Sequence, residues 1–363
     1  MSALSQKHNA INLSQGFPNF DCDPLLVNMH NQASNSIYNQ YAPMAGVMEL
    51  REEISKKYEL LYNTSYHPED EITITVGATE AIFSAISAFV RGDDEVIVLK
   101  PAYDCYEPAI EVNGGKIVSV QLDAPKYNVD WIKLGQKITE KTKMIIINTP
   151  HNPTGTIFSE DDMLQLQELT KGTNIMVLSD EVYEHIIFDN ASHESVCKFP
   201  DLKSRSIIAA SFGKTFHVTG WKVGYCCGPK ELMEEFRKVH QFNVFSVHHP
   251  TQIALANYLK EPKHYLELNQ FYQEKRDLFL SLIKGSRFEF IPSRGTYFQN
   301  LKFDTITDEG DVAFSKRLVS EHKIASIPLS EFNVKNRDDR MLRFCFAKKS
   351  DTLKRAADIL NNI

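Results

Sequence analysis

Three stretches of this chain carry residues whose types and spacing could do chemistry, and each follows a run that reads as a buried β-strand. Ser211-Phe-Gly-Lys-Thr closes the run SIIAAS and sets Lys214 in a glycine-containing turn. Lysine is seldom buried without a task, although the ordinary reading of such a residue is an exposed loop lysine. Asn148-Thr-Pro-His-Asn-Pro-Thr-Gly155 closes KMIIIN. Its two X-Pro bonds make a rigid, non-helical turn, which by itself often only redirects the chain. Ser179-Asp180-Glu181-Val182-Tyr183 ends IMVLSD, and an acidic pair there is in isolation most simply a helix N-cap. Together the three say more. In a parallel α/β sheet the carboxyl ends of the strands open into one crevice where ligands bind. Lys214, Asp180 and Asn152 bring to it an amine, an anion and a neutral hydrogen bonder, the groups that hold a pyridinium ring bearing an aldehyde and a phenolic oxygen.

The elements that must position these residues follow from the apolar pattern. A strand is expected over 71–76, a buried helix over 79–90, and further strands at 95–100, 116–122, 143–148, 175–180, 206–211 and 223–227. Most are continuous apolar runs, as in strands covered on both faces by helices. Ser159 followed by Asp162 marks a helix start between two of them. After residue 228 the pattern changes to helices over 230–240, 250–260 and 265–284. A strand pair broken around 293–295 is expected within 288–303, then a helix, a strand at 341–346 and a last helix. With 363 residues, the chain exceeds the size at which one core usually stops growing. The expected fold is therefore α/β, a large domain (36–260) with a mostly parallel sheet between helices and a smaller α+β domain (1–35 with 261–363).

Composition narrows the partners. Forty basic and 47 acidic residues give a net charge of −7, which argues against nucleic acid or an anionic membrane surface as the main partner. No apolar stretch is long enough to span a bilayer, and the first twenty residues lack the basic start and apolar run of a signal peptide. Six scattered cysteines, with no C-x-x-C spacing, read as reduced thiols. Adjacent Cys226 and Cys227 read as strand residues facing opposite ways, and a cytoplasmic protein is expected. The histidines, His248 and His249 included, offer no third ligand at a usual spacing, so no metal site is expected. G-x-G-x-x-G after a first strand and G-x-x-x-x-G-K-[ST] are both missing, which leaves nicotinamide dehydrogenases and nucleotide-phosphate loops without support.

The motifs INLSQGFPNF, QYAPMAGVMELR, TVGATEAI, PAYDCYEP, NTPHNPTG, SDEVYEH, SFGKTFHVTGWKVGY and RFCFA occur in this order along nearly the whole chain. In that order and spacing the sequence resembles the fold-type I pyridoxal-phosphate aminotransferases of class I/II, nearest to their methionine and kynurenine/glutamine branch. The resemblance implies pyridoxal 5'-phosphate as cofactor, with Lys214 as its Schiff-base lysine and the acid/base that moves the proton. It implies Asp180 at the pyridine nitrogen, Tyr183 and Asn152 at the phenolic oxygen, and Tyr103 stacked on the ring. Ala78 and Thr79, at a helix start suited to anions, would bind phosphate with Ser211 and Lys222. Tyr41 would reach the phosphate of the neighbouring subunit, making a homodimer with shared active sites, and His248 would lie near the partner's substrate pocket. Arg343, which on its own reads equally well as half of a structural salt bridge, becomes the clamp for the substrate carboxylate. Gly16, Phe17 and Asn152 would complete the substrate site.

The activity so implied is transfer of an amino group to a 2-oxo acid from a large neutral, sulfur-containing or aromatic amino acid such as methionine, glutamine or kynurenine. No second cation is assignable for a dicarboxylic side chain. The same chemistry could instead expel a β-substituent, giving a carbon–sulfur lyase. An aminotransferase-like ligand-sensing domain of a transcription regulator is a third reading, but the chain has neither spare length nor a basic stretch for a DNA-binding module.

Overall fold

The apolar runs become strands in the computed structural model, which describes the whole chain, Met1–Ile363. In chain order the strands are β1 (Ile11–Asn12), β2 (Ile72–Thr75), β3 (Glu95–Lys100), β4 (Lys116–Gln121), β5 (Thr142–Asn148) and β6 (Met176–Asp180). After them come β7 (Ser206–Ser211), β8 (Gly224–Cys227), β9 (Phe298–Lys302), β10 (Ile324–Ala325), β11 (Ile327–Pro328) and β12 (Met341–Cys345). Seven of them form one sheet in the order β2-β8-β7-β6-β5-β3-β4. All neighbours in it are parallel except those involving β8, which runs antiparallel to both β7 and β2. Only two single turns, Phe212–Thr215 and Thr219–Trp221, separate β7 from β8, with no helix long enough to cross the sheet, and the new strand is antiparallel.

Both faces of this sheet are buried, as its apolar strands require. One face packs against helices Gly77–Phe89, Tyr106–Val112 and Lys230–Asn243 in an apolar cluster that holds Cys226. The other face joins a larger cluster that holds Cys227 and continues into β9, β12 and the helices Leu268–Ile283 and Ser350–Asn361. The two cysteines thus face opposite ways, and all six are free thiols. Helix Glu160–Thr170 begins at the expected capping box of Ser159 and Asp162. No helix is long and apolar enough to cross a membrane.

Two expectations for the second half need correction. Residues 288–292 do not form a strand: Glu289 makes a single bridge to Lys302, and Pro292 has no N–H to extend the ladder. β9 pairs with β12, which pairs with β11, to make the smaller three-stranded sheet. The helix expected over 265–284 is a single turn, Lys263–Leu266, followed after Glu267 by helix Leu268–Ile283. The turn sets Tyr265 against His185, whereas the helix buries Leu268 and Tyr272 elsewhere in the core. In the first half, the helix expected over 79–90 begins two residues earlier, at Gly77, so Ala78 and Thr79 lie in its first turn.

The carboxyl ends of β2, β3, β5, β6 and β7 and the amino end of β8 lie on one edge of the sheet. Gly224 at the start of β8 passes so close there that an added Cβ would sit 2.4 Å from the Ala210 carbonyl oxygen and 3.0 Å from the Gly77 backbone. Gly224→Ala therefore overpacks two backbones at once, and we expect it to lower the unfolding free energy by roughly 1–3 kcal/mol. Denaturant titration checks this, and an unchanged midpoint would show that the edge relaxes freely.

Candidate functional site

Along that edge opens a cavity of about 780 Å³, within the range of roughly 300–1,000 Å³ usual for small-molecule sites. β6 ends on Asp180 and β5 ends on Asn148, paired in register, so the turns that follow them open side by side. The Asn148 side chain ties them together: its Nδ2 donates to the Asp180 carbonyl at 2.8 Å, and its Oδ1 accepts from the Asn152 N–H at 2.7 Å. Asn152, Asp180 and Tyr183 line the cavity with Lys214, which follows β7 in a single helical turn, Phe212–Thr215. No helix follows Asp180, so the acidic pair is not an N-cap.

Asp180 is 97% removed from solvent, being 3% exposed, and forms no ion pair. Tyr106 donates to its Oδ2 at 2.6 Å and the Val182 N–H to its Oδ1 at 3.2 Å. Burial nevertheless pushes its carboxyl up to about 6. Lys214 has no carboxylate within ion-pairing reach; its Nζ donates to the Gly16 carbonyl at 3.0 Å, near the faces of Tyr183 and Tyr297. Burial, abetted by Arg343 and Lys222, brings its ammonium down to about 8. Tyr183 is held well above the ordinary phenol range by burial and so stays a donor.

Arg343 comes from the middle of β12, 191 residues from Asn152, yet its Nη1 donates to the Asn152 Oδ1 at 2.6 Å. The guanidinium lies 4.0 Å from the Phe298 ring centroid and 4.9 Å from that of Phe332. It is 7% exposed, its Nε has no partner, and no carboxylate pairs with it. The structural salt bridge is thus absent. A buried guanidinium held between aromatic faces with a free donor is what a planar anion requires.

The remaining residues divide clearly. Ala78 and Thr79 line the cavity from the first turn of Gly77–Phe89, whose amides have no intrahelical acceptor. Gly77 adopts φ +71°, and an added Cβ would lie 3.5 Å from Lys222 Nζ; Lys222 and Ser211 join the same wall. A helix start, a hydroxyl and an ammonium without an ion-pair partner fit a phosphate group. Tyr103 also lines the cavity, its ring edge-on to Tyr106. Gly16 and Phe17 line the side nearer β12; a Cβ on Gly16 would meet Phe298 at 2.7 Å. Tyr41 lies outside its own chain's cavity, 81% exposed with its ring against Phe245, and His248 bonds Thr251 near the same surface.

Two cavity-supporting residues, Tyr106 and Asn148, escape a reading of the sequence. Tyr106 lies 74 residues from Asp180, and its bond to that carboxylate has no local signal. Asn148 does sit at a strand end among candidate residues, which is the one hint it gives.

The family model for aminotransferase class I and II matches residues 8–360. The chain is 46% identical to the methionine aminotransferase of Escherichia coli (strain K12), over all of this chain and 94% of that one. It is 32% identical to human kynurenine–oxoglutarate transaminase 3, over 98% of this chain and 86% of the relative. A crystal structure of an Escherichia coli protein with a methionine aminotransferase function superposes with a TM-score of 0.98 at 46% identity, covering 100% of this chain and 96% of the other.

The unpaired guanidinium gives a stability prediction. Arg343→Met keeps the stem volume and removes the buried charge, so the cofactor-free protein should become more stable by roughly 1–3 kcal/mol. A thermal or chemical unfolding curve checks this; destabilisation would mean that the bond to Asn152 outweighs the buried charge.

Proposed function

The chain belongs to the aminotransferase class I and II family and is an aminotransferase; on that premise we propose that its cofactor is pyridoxal 5'-phosphate and its amino donor a large neutral, sulfur-containing or aromatic amino acid. Methionine leads this class, with glutamine and kynurenine-like donors beside it, and a 2-oxo acid is the acceptor. One observation carries the reading. A carboxylate (Asp180), an amine (Lys214) and a guanidinium (Arg343) share one cavity, and none has a counter-ion within ion-pairing reach. A pyridinium, an aldehyde and a carboxylate complete that set.

When bound, the cofactor supplies an aldehyde that takes up the amino group and a pyridinium that accepts electrons released at the substrate α-carbon. The protein's own residues do the rest. Asp180 keeps the ring nitrogen protonated by its negative charge. Lys214, whose ammonium burial brings down to about 8, would hold the cofactor at its aldehyde group and carry the proton of the substrate α-carbon. Tyr183 and Asn152 donate to the phenolic oxygen, and Tyr103 covers one ring face. Ala78, Thr79, Ser211 and Lys222 bind the phosphate. Arg343 grips the substrate carboxylate beside Asn152 and the backbone of Gly16, with Phe17 against the side chain.

The same reading divides the chain into a cofactor-holding unit, 36–260, and a smaller unit of 1–35 and 261–363 that delivers Arg343, Gly16 and Phe17. It makes the enzyme a homodimer in which Tyr41 of a second copy reaches the phosphate. The exposure of Tyr41 beside half-exposed Phe245 and exposed Phe242 supports this. Free, mostly buried cysteines fit a cytoplasmic setting. The wall from 312–332 presents Val312, Ile327 and Phe332, with exposed Lys316 and Glu331 of opposite charge. That lining suits an uncharged side chain.

A panel of amino acids and 2-oxo acids against the purified enzyme tests the proposal; turnover confined to dicarboxylic donors would overturn the substrate class. Lys214→Ala should retain the cofactor non-covalently while transamination falls about 10²–10⁴-fold, and full turnover by that variant would remove Lys214 from its role. A pH effect follows from Asp180. Its carboxyl sits at about 6 in the cofactor-free chain, so above that pH it is ionised and attracts the ring cation. Below it the proton is taken up and the attraction is lost. The affinity of the cofactor-free protein for added cofactor should therefore weaken as pH falls through 6, and Asp180→Asn should bind cofactor weakly at every pH. A wild-type affinity that stays flat from pH 5 to 8 in equilibrium titrations would argue against this pairing.

A further inference from the structure

The segment that follows β1 is held by its carbonyls. The Leu13 oxygen accepts from the Cys345 N–H at 2.7 Å, the regular end of a backbone contact. Beyond it, side-chain donors take over: Arg343 reaches the Ser14 oxygen at 3.5 Å, and Lys214 the Gly16 oxygen at 3.0 Å, where Tyr297 also donates. Lys348 reaches the Phe17 oxygen at 2.7 Å and the Gln15 oxygen at 3.5 Å. Of these three cations, Lys214 and Arg343 are committed elsewhere once cofactor and substrate are bound. Lys348 has no such commitment.

Lys348 is itself anomalous. It is 3% exposed, pairs with no carboxylate, and lies 4.9 Å from the Phe17 ring centroid. It does not line the cavity. It lines a separate hollow of about 320 Å³ on the far side of Phe17, a residue that lines both. Burying a lysine with only carbonyls for partners is unfavourable unless the position gains something by it. Next to it, Asn19 accepts from the Lys349 N–H at 2.6 Å and donates to Thr352 at 3.0 Å, fixing the other end of the segment to helix Ser350–Asn361.

We propose that Lys348 is a positioning residue that holds Gln15–Phe17 against the amino-acid site from behind, so that Gly16 and Phe17 stay in place when Lys214 and Arg343 turn to cofactor and substrate. This rests on the amino-acid-binding role proposed for Arg343 and adds a residue that touches neither ligand. Loss of the lysine frees the Phe17 carbonyl and ring, which loosens the substrate wall and leaves the phosphate and ring contacts untouched.

The test is steady-state kinetics with methionine on the cofactor-loaded dimer, for wild type, Lys348→Met and Lys348→Arg. Lys348→Met should raise KM on the order of tenfold, as expected for removing a hydrogen bond from a charged donor. Its kcat and cofactor content should stay close to wild type and its thermal midpoint should not fall, since a buried unpaired charge is removed, and Lys348→Arg, which keeps the donors, should restore much of the KM. Should the methionine variant fail to fold, Lys348→Gln, with a neutral donor, reads the same KM. An unchanged KM in an active variant, or a fall in kcat that tracks lost folded protein, overturns the inference alone. A wild-type enzyme inactive toward every amino acid tried overturns both it and the reading on which it rests.

Discussion

Charges removed from water without counter-charges are the constraint on which this structure turns. Each of Asp180, Lys214 and Arg343 would be more comfortable paired or exposed. The fold keeps them apart inside one cavity and gives each only neutral donors or acceptors: Tyr106 and the Val182 amide for Asp180, the Gly16 carbonyl for Lys214, Asn152 for Arg343. These contacts orient the groups without neutralising them. The shifts follow from the same burial, which raises the carboxyl to about 6 and brings the amine down to about 8. A site arranged this way binds the ligand that supplies the missing charges.

The opposite side of the same segment shows the contrast. Along Asp180–His185 the side chains divide between two environments. Asp180 and Tyr183 face the cavity, while Glu181, Glu184 and His185 enter a buried polar cluster. There Lys57 pairs with Glu184 and donates to Tyr225 at 2.6 Å, Tyr62 donates to Glu184 at 2.9 Å, and His193 bonds Glu181 at 2.8 Å. Burial pushes Glu184 up, but Lys57 overrides it and holds the carboxyl at about 2. The charges of this cluster are paired although His193 Nδ1 has no partner, and paired buried charges hold a segment in place. Paired charges therefore anchor the segment from below, and unpaired ones are presented above it.

The net charge of −7 says little about this cavity. Its lining sets Lys214, Lys222, Lys316 and Arg343 against Asp104, Asp180 and Glu331, a balance opposite in sign to that of the whole molecule. The continuous apolar core that runs from the seven-stranded sheet into β9 and β12 is what allows Arg343 to be held against Asn152.

The sequence by itself determined the seven strands of the large sheet to within a residue or so at their ends, because strands covered on both faces are long, unbroken apolar runs. It determined that Lys214, Asp180 and Asn152 follow strand ends, and hence that they share an edge. It marked Arg343 as an oddity inside an apolar strand but could not say whether a carboxylate waited for it. Only the tertiary structure decided that none does, since that depends on which surface β12 meets across 191 residues of chain. The Tyr106 bond to Asp180, the Lys348 grip on Phe17, the reversal of β8 and the missing strand at 288–292 were decided there as well. Each depends on partners distant in sequence, and local periodicity carries no information about which donor will find which acceptor once the chain has packed.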